Sequence, residues 1–292
     1  GMVVPLFERR FRACIPKHGV IVATTNGIGL ALGMARMLGL VNAPVMLLAM
    51  GLIPLDAGRW KRLIFKTVTR NLTLVTISKG EQAFLQSLFP LQCIHYMPFG
   101  VDHRFWHPGP LDIEEEGFAL AIGNDENRDW ATLVKAWHTG LPSLKIITSM
   151  PVPKASANVE VIHGNWLSKV MTDKRIRELF WRSSFVIVPL KETIQPSGQS
   201  VCLQAMACGK AVVMTDNAGI WDRDLMIDDY NVLMVKPGDH SGLSKTVQRL
   251  FDSPILRKKL GNNARNTIER HLNIDKMAES LANLLENDDS FH

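Results

Sequence analysis

Short apolar runs alternate with longer amphipathic segments along most of the chain. The short runs are rich in β-branched residues and predict strands, and the longer segments have the 3.6-residue period of helices. In the first third of the chain, the predicted strands are residues 19–25, 44–50, 72–77 and 93–97, and the predicted helices are residues 26–38, 58–70 and 79–88. This alternation is typical of a parallel sheet with helices on both faces.

Glycine and proline interrupt the alternation between Gly100 and Pro110, and an acidic stretch follows at residues 112–116. We place a domain boundary here, between residues 1–106 and residues 107–292. In the second part the predicted strands are residues 118–122, 144–148, 159–162, 185–189, 211–215 and 231–235. The predicted helices are residues 130–139, 173–182, 257–271 and 274–286, together with one that begins near residue 198. Two doubly wound α/β domains are therefore expected, with the last helix packing back on the first domain.

Positive charge is concentrated in the first domain. Up to Trp106 the chain has 12 Lys and Arg against 4 Asp and Glu, a net charge of +8, and the remainder has 21 against 24, a net charge of −3. Two interpretations stay open: a solvated face, or attraction to an anionic membrane surface or a phosphate-bearing acceptor. No nucleic-acid partner is expected, because few aromatic residues interleave with these charges and no nucleic-acid motif is present.

The composition predicts a cytoplasmic protein of two domains without a transmembrane span. Its 292 residues and 46% apolar content are enough for two cores, and no uncharged apolar run reaches eighteen residues. The cysteines lack disulfide or metal-ligand spacing, so we expect buried, reduced thiols at Cys14, Cys93, Cys202 and Cys208. The histidines show no metal-ligand spacing with carboxylates, so no metal or other cofactor is expected.

The segment most informative about chemistry is residues 195–210, with the sequence QPSGQSVCLQAMACGK. It predicts a polar loop that opens a helix, and a buried strand follows it. The start of such a helix offers unpaired backbone N–H groups and the positive end of the helix dipole, which suit a diphosphate. Ser197, Ser200 and Gln204 fall on one helix face, either as donor contacts or as a solvated face. Gln195 is either a donor contact or an ordinary loop residue.

Other residues could complete a nucleotide site. Arg128 lies just before a predicted helix, where a cation opposes the dipole unless an anion is bound nearby; the alternative is a surface salt bridge. Gly123 either allows close approach of the nucleotide or simply ends a strand, and Gly164 could line a base pocket. On the first domain, the turn at Asn26 and Gly27 is a weak phosphate signal.

Three segments together resemble the GT-B-fold glycosyltransferases of family 4, the glycosyl transferases group 1. Residues 100–108 are similar to the family's interdomain GVD…F.P motif, and residues 121–133 are similar to the first strand and helix of its donor domain. The most specific segment is QAMACGKAVV at residues 204–213, which is similar to the family's EAMACGKPVV. The resemblance covers the chain from about Val20 to its end.

The resemblance implies a retaining transferase that moves a hexose from a nucleoside diphosphate sugar to an acceptor hydroxyl. The donor would bind the second domain. The acceptor, an unidentified glycan, lipid or small molecule, would bind the first domain. Arg128 and Lys210 would stabilise the departing diphosphate without a metal. The donor would contact Gly123, Asn124, Gly164, Gln195, Ser197, Gly198, Gln199, Ser200 and Gln204. The acceptor side would include Asn26 and Gly27.

The chain departs from the family pattern in three places. Pro196 and Gln204 occupy the positions of two glutamates, and Asn124 occupies that of an arginine. The start of the family's acceptor domain has no counterpart before Val20, which predicts an incomplete first domain that self-associates or is loosely ordered. Two alternatives therefore remain: a nucleotide-sugar-binding remnant without transferase activity, and a GT-B-like sugar-nucleotide epimerase.

Overall fold

The computed structural model describes residues 19–164 and 171–287, which form two compact units. The first unit contains residues 19–98, Ile194–Pro196 and residues 277–287, and the second contains the other described residues. Residues 99–106, which the sequence placed in the first domain, lie in the second unit. The reason is that Trp106 is buried in that unit's core, with its ring centroid 5.8 Å from that of Phe180.

The first unit is built on a parallel sheet. Its strands, in spatial order, are β1 (Ile21–Ala23), β2 (Val45–Ala49), β3 (Thr73–Thr76) and β4 (Ile94–Tyr96). The helices that connect them are α1 (Asn26–Met37), α2 (Arg59–Thr69) and α3 (Lys79–Leu88). The side chains of Thr25 and Ser78 accept hydrogen bonds from backbone N–H groups of the first turns of α1 and α3. These caps determine where the two helices begin.

The second unit has a larger parallel sheet. Its strands are β5 (Phe118–Ile122), β6 (Leu144–Thr148), β7 (Val159–His163), β8 (Ser183–Val188), β9 (Val212–Thr215) and β10 (Leu233–Val235). Its helices are α4 (Trp130–Ala136), α5 (Asp173–Arg182), α6 (Gln199–Ala207), α7 (His240–Asp252) and α8 (Pro254–His271). The last helix, α9 (Ile274–Asn287), begins in the second unit, but its residues 277–287 belong to the first. No helix in the two described ranges is long and apolar enough to cross a membrane.

Both faces of this larger sheet are buried. Alternate residues of β5 point to opposite faces, so Phe118 and Leu120 pack in one cluster with α5 and α6, whereas Ala119 and Ala121 pack in another with α4 and α7. Strands buried on both sides read as continuous apolar runs, as the sequence shows. The structure confirms the predicted doubly wound α/β class.

The strand order of the second unit reverses between β5 and β8. The spatial order is β10-β9-β8-β5-β6-β7, so the chain moves from β5 outward through β6 and β7, then returns to β8 and moves the other way. The connections that leave β5 and β8 therefore diverge at their carboxyl ends. Open α/β sheets bind ligands in the crevice at such a switch point.

Two elements differ from the sequence-based expectation. Helix α7 was not predicted, although Leu243, Val247 and Leu250 are buried at helical spacing; Gly242 and the start of the next helix at Pro254 obscure the pattern. Helix α4 ends at Ala136 rather than at residue 139. There Trp137 turns to extended backbone, and its indole N–H donates to the Pro142 carbonyl at 2.9 Å.

Candidate functional site

Arg128 lies at the point where the strand order reverses. It follows β5, and its backbone forms an antiparallel bridge with Leu190, just beyond β8. Only 4% of the residue is exposed. Burial lowers the pKa of the guanidinium, and the Asp125 carboxylate, 2.9 Å from Nε, opposes that shift. Because arginine stays protonated in proteins, a positive charge is held inside the unit.

The Arg128 guanidinium lies between two glycines. A Cβ added to Gly198 would lie 2.8 Å from Nη1, and a Cβ added to Gly123 would overlap Nε. Both positions therefore require a residue without a side chain. Within the described part of the chain, Nη1 is buried without a hydrogen-bond partner. Since buried donors nearly always have a partner, an anion at this place would supply the missing acceptor.

Helix α6 begins next to this guanidinium. Gly198 precedes the helix with a φ of 72°, in the left-handed region, and offers no capping side chain. The first N–H groups of a helix lack intrahelical partners, and the helix dipole adds partial positive charge there. Asn127 holds the entering loop, because its Nδ2 donates to Ser197 Oγ at 2.7 Å. The charge of Arg128 and the helix N-terminus thus meet at Gly198.

The polar face predicted for α6 exists. Ser200 is exposed and Gln204 is half-buried, while the residues between and after them on the helix are buried. Gln199 is only 3% exposed, so its side chain is directed into the unit rather than toward a ligand. The predicted donor contact of Gln199 is therefore restricted to its backbone N–H group.

The side-chain amide of Asn124 is hydrogen-bonded to the ends of β6 and β7. Its Oδ1 accepts from Thr148 Oγ1 at 3.2 Å and from the Ser149 backbone N–H at 2.5 Å, and its Nδ2 donates to the Gly164 carbonyl at 3.4 Å. The loops after β6 and β7 therefore occupy both ends of the amide, and a donor contact through this side chain stays a prediction that these bonds do not support. Gly164 belongs to the same arrangement and lies at the carboxyl edge of the sheet.

The other predicted contacts belong to the first unit. The amide of Asn26 donates to the Met50 carbonyl at 2.8 Å and accepts from the Met50 N–H at 3.2 Å. This side chain therefore ties the start of α1 to the end of β2, and Gly27 lies in the first turn of the same helix. Gln195 is also in this unit, where a Cβ on Gly51 would lie 2.6 Å from its Cδ.

Lys210 lies at the opposite end of α6 from Gly198. The helix has nine residues, which carries the chain about 13 Å along its axis. Lys210 then precedes β9, where its Nζ is 2.9 Å from Glu115 Oε1, and Arg257 Nη2 is 3.6 Å from the other oxygen of the same carboxylate. The cation is therefore paired at the amino edge of the sheet, and the catalytic role of Lys210 stays a prediction that this position does not support.

Replacing Lys210 by methionine is expected to leave the dissociation constant for a nucleoside diphosphate unchanged. The free energy of unfolding should fall by about 1 kcal/mol, because the half-exposed Glu115 is screened by solvent. Calorimetric titration and urea unfolding measure the two quantities. Glu115→Gln breaks the same pair from the other side and should reproduce the result. If Lys210→Met raises the dissociation constant tenfold, Lys210 contributes to nucleotide binding and the expectation is wrong.

The two cysteines of the signature segment are not nucleophiles. Burial raises the pKa of Cys202 to about 12 and that of Cys208 to about 12, so both thiols are protonated at neutral pH. They are free, as is Cys93, which is exposed and so corrects the expectation of burial there. Cys14 lies outside the described residues.

Two residues at the site were missed by sequence reasoning. Asp125 forms the ion pair with Arg128, and Asn127 bonds to Ser197. Both lie within three residues of Arg128, in the polar run DEN that connects β5 to α4. A polar connection at the carboxyl end of a buried parallel strand is the signal that could have identified them.

Comparison with known proteins finds a family match within the second unit. Residues 155–267 match the family model for Glycosyl transferases group 1. An uncharacterised glycosyltransferase from Methanocaldococcus jannaschii is 32% identical over 87 residues, which is 30% of this chain and 22% of that protein. The chain thus spans about a fifth of this curated relative.

Solved structures share the fold over most of the chain. Sucrose-phosphate synthase from Thermosynechococcus elongatus has a TM-score of 0.75 at 17% identity, with 91% of this chain and 73% of that chain covered. The Anabaena protein HepE in complex with UDP has a TM-score of 0.76 at 14% identity, with 96% and 81% covered. Residues 155–267 therefore match the Glycosyl transferases group 1 family, and the two parallel-sheet domains have the fold of GT-B glycosyltransferases.

Proposed function

We propose that this protein transfers a hexose from a nucleoside diphosphate sugar to an acceptor hydroxyl with retention of configuration. The observation that carries the proposal is the buried Arg128, whose Nη1 lacks a partner beside the start of α6. The Anabaena relative of this fold was solved with UDP, with UDP and glucose, and with UDP-glucose. A uridine diphosphate sugar is therefore the first donor to test.

In this proposal the protein acts by stabilising charge. When the bond between the sugar and the diphosphate breaks, negative charge develops on the leaving β-phosphate. Arg128 and the first N–H groups of α6 would stabilise that charge. Nη1 has no exposed surface, so the loop before Gly198 must shift for the phosphate to reach it. Ser200 and Gln204 would contact the sugar or ribose hydroxyls.

A second candidate function is donor binding without transfer. It is favoured by the uncharged residues Pro196 and Gln204, which stand where the family usually has glutamates. A neutral amide can bond a hydroxyl, but it gains less from each bond than a carboxylate would. A donor bound through Arg128 and α6 alone would leave the sugar weakly oriented for reaction.

Nucleotide binding and turnover separate these functions. UDP or GDP at 100 times its dissociation constant should stabilise the protein by about 2.7 kcal/mol, and the shift should persist in EDTA because arginine and a helix N-terminus replace a metal. Thermal unfolding measures this effect. Release of UDP from UDP-glucose, followed with a labelled sugar, then distinguishes transfer from binding. A shift that disappears in EDTA would contradict the proposed site.

We also propose a location in the cytoplasm with peripheral contact at the inner membrane surface. The support is the net charge of +8 over the residues up to Trp106. An excess of this size attracts a protein to anionic surfaces at physiological ionic strength.

A further inference from the structure

Helix α2 directs an apolar stripe toward solvent. Trp60, Leu63 and Ile64 are 79%, 51% and 60% exposed. Their spacing of three and four residues places them on one side of the helix. The buried residues of α2 are only Val68 and Thr69. A helix that packs on a globular domain normally shows the reverse arrangement, with its apolar stripe against the core.

Cations border this apolar stripe on both sides. In helical projection, Arg59, Lys66 and Arg70 lie next to it on one side and Lys61 on the other, and all four are exposed. The chain contains no Asp or Glu from residue 57 to residue 80. The exposed half of the helix is therefore apolar in the middle and positively charged at its edges.

We propose that α2 binds in the interface of a membrane that contains anionic lipids. Its 11 residues span about 16 Å, too short to cross a bilayer, so the helix would lie parallel to the membrane plane. Trp60, Leu63 and Ile64 would enter the boundary of the acyl chains, where tryptophan is favoured. The long side chains of the flanking cations would reach the lipid phosphates.

Charge favours a lipid surface over a protein partner. A row of cations with no acidic residue among them is complementary to a continuous anionic surface, whereas protein interfaces carry mixed charges around an apolar centre. This inference deepens the proposed peripheral location and uses none of the donor-site residues. If α2 does not bind membranes, the proposed donor site is unaffected. If the donor site is wrong, the proposed membrane contact of α2 is unaffected.

Vesicle co-sedimentation tests the charge requirement. The full chain should bind vesicles of phosphatidylcholine and phosphatidylglycerol at a 7:3 ratio, should not bind phosphatidylcholine alone, and should be released by 0.5 M NaCl. Each cation near an anionic membrane contributes roughly fivefold to partitioning. The double variant Lys61→Glu and Lys66→Glu should therefore bind at least 25-fold more weakly, by the same estimate.

A charge-matched double variant controls for net charge. Lys174 and Lys259 are exposed in the second unit. Because neither belongs to α2, Lys174→Glu with Lys259→Glu should lower binding by no more than about fivefold. UDP-induced stabilisation should be the same in both double variants, which separates membrane contact from donor binding. Equal losses of vesicle binding in the two double variants would overturn the assignment to α2.

Fluorescence quenching by brominated phosphatidylcholine tests insertion. Trp60 should be quenched in the bound protein, and Trp60→Phe should lose most of that quenching while vesicle binding changes less than about threefold, because phenylalanine keeps the apolar contact. Quenching that persists fully in Trp60→Phe would contradict insertion of α2. Sedimentation velocity without lipid tests self-association through the same face. If the protein is a dimer, if Leu63→Ser dissociates it and if vesicles are not bound, the face contacts a second copy of the chain and the membrane assignment is wrong.

Discussion

Replacing Arg128 by methionine is expected to weaken nucleoside diphosphate binding by about 2–5 kcal/mol, the range found when one partner of a buried charge pair is truncated. The free energy of unfolding without nucleotide should fall by about 1–3 kcal/mol, the usual cost of leaving a buried acceptor without its partner. Asp125 is the one ion-pair partner of Arg128 in the described part of the chain, and its Oδ1 is buried. Removing the guanidinium would leave this carboxylate without a compensating charge. Calorimetric titration with UDP and thermal unfolding measure the two effects.

Arg175→Met is the matched control for this variant. Arg175 lies on the surface of α5, with 59% of its side chain exposed, and its ion pair is with Glu178 one turn away. The control removes the same charge without touching the switch point, so UDP affinity should change by less than a factor of two. If Arg128→Met binds UDP as tightly as the control does, Arg128 is a structural residue and the proposed site is wrong.

Replacing Gly198 by alanine is expected to impair both stability and nucleotide binding. The left-handed backbone at φ 72° is strained for any residue with a Cβ, at a cost of about 1–2 kcal/mol. The added methyl would also lie 2.5 Å from Val188 Cγ1 and 2.8 Å from Arg128 Nη1. Because one of these groups must move, the total loss of stability should reach about 2–4 kcal/mol, with at least tenfold weaker UDP binding.

Gly209→Ala separates the two parts of that effect. Gly209 follows the other end of α6, has the same φ of 72°, and has Pro108 Cγ as the nearest atom to an added Cβ, at 3.6 Å. This variant carries the backbone strain without the clash, so it should lose about 1–2 kcal/mol of stability and keep its UDP affinity. Equal UDP affinities in the two variants would show that Gly198 does not shape the binding site.

Much of the fold was predictable from local patterns. The limits of β5, β6 and α5 follow from continuous apolar runs and from a capping residue, Thr172, at the start of the helix. The N-terminus of α6 and the cation Arg128 were predictable as well, because a polar loop between a buried strand and a helix favours an anion. The lengths of the strands and helices also predict whether a residue lies at the amino or the carboxyl edge of the parallel sheet.

The individual bonds at the site were not predictable. Asn124 and Arg128 lie in the same connection, and the amino-acid types alone do not show that the amide closes the strand ends while the guanidinium turns inward. Lys210 was predicted to lie at the diphosphate because it is close to the α6 loop in sequence, whereas the helix carries it to the other edge of the sheet. Side-chain partners from distant segments, such as Glu115, have no local signal.

The proposed donor site consists of Arg128 Nη1 and the start of α6, which bind the diphosphate. A crystal structure of the protein with UDP, grown without divalent metal, shows whether they do. We expect a β-phosphate oxygen about 2.7–2.9 Å from Nη1, and a second phosphate oxygen that accepts a hydrogen bond from a backbone N–H in the first turn of α6. Ordered UDP bound elsewhere, with Nη1 still lacking a partner, would contradict the proposed site.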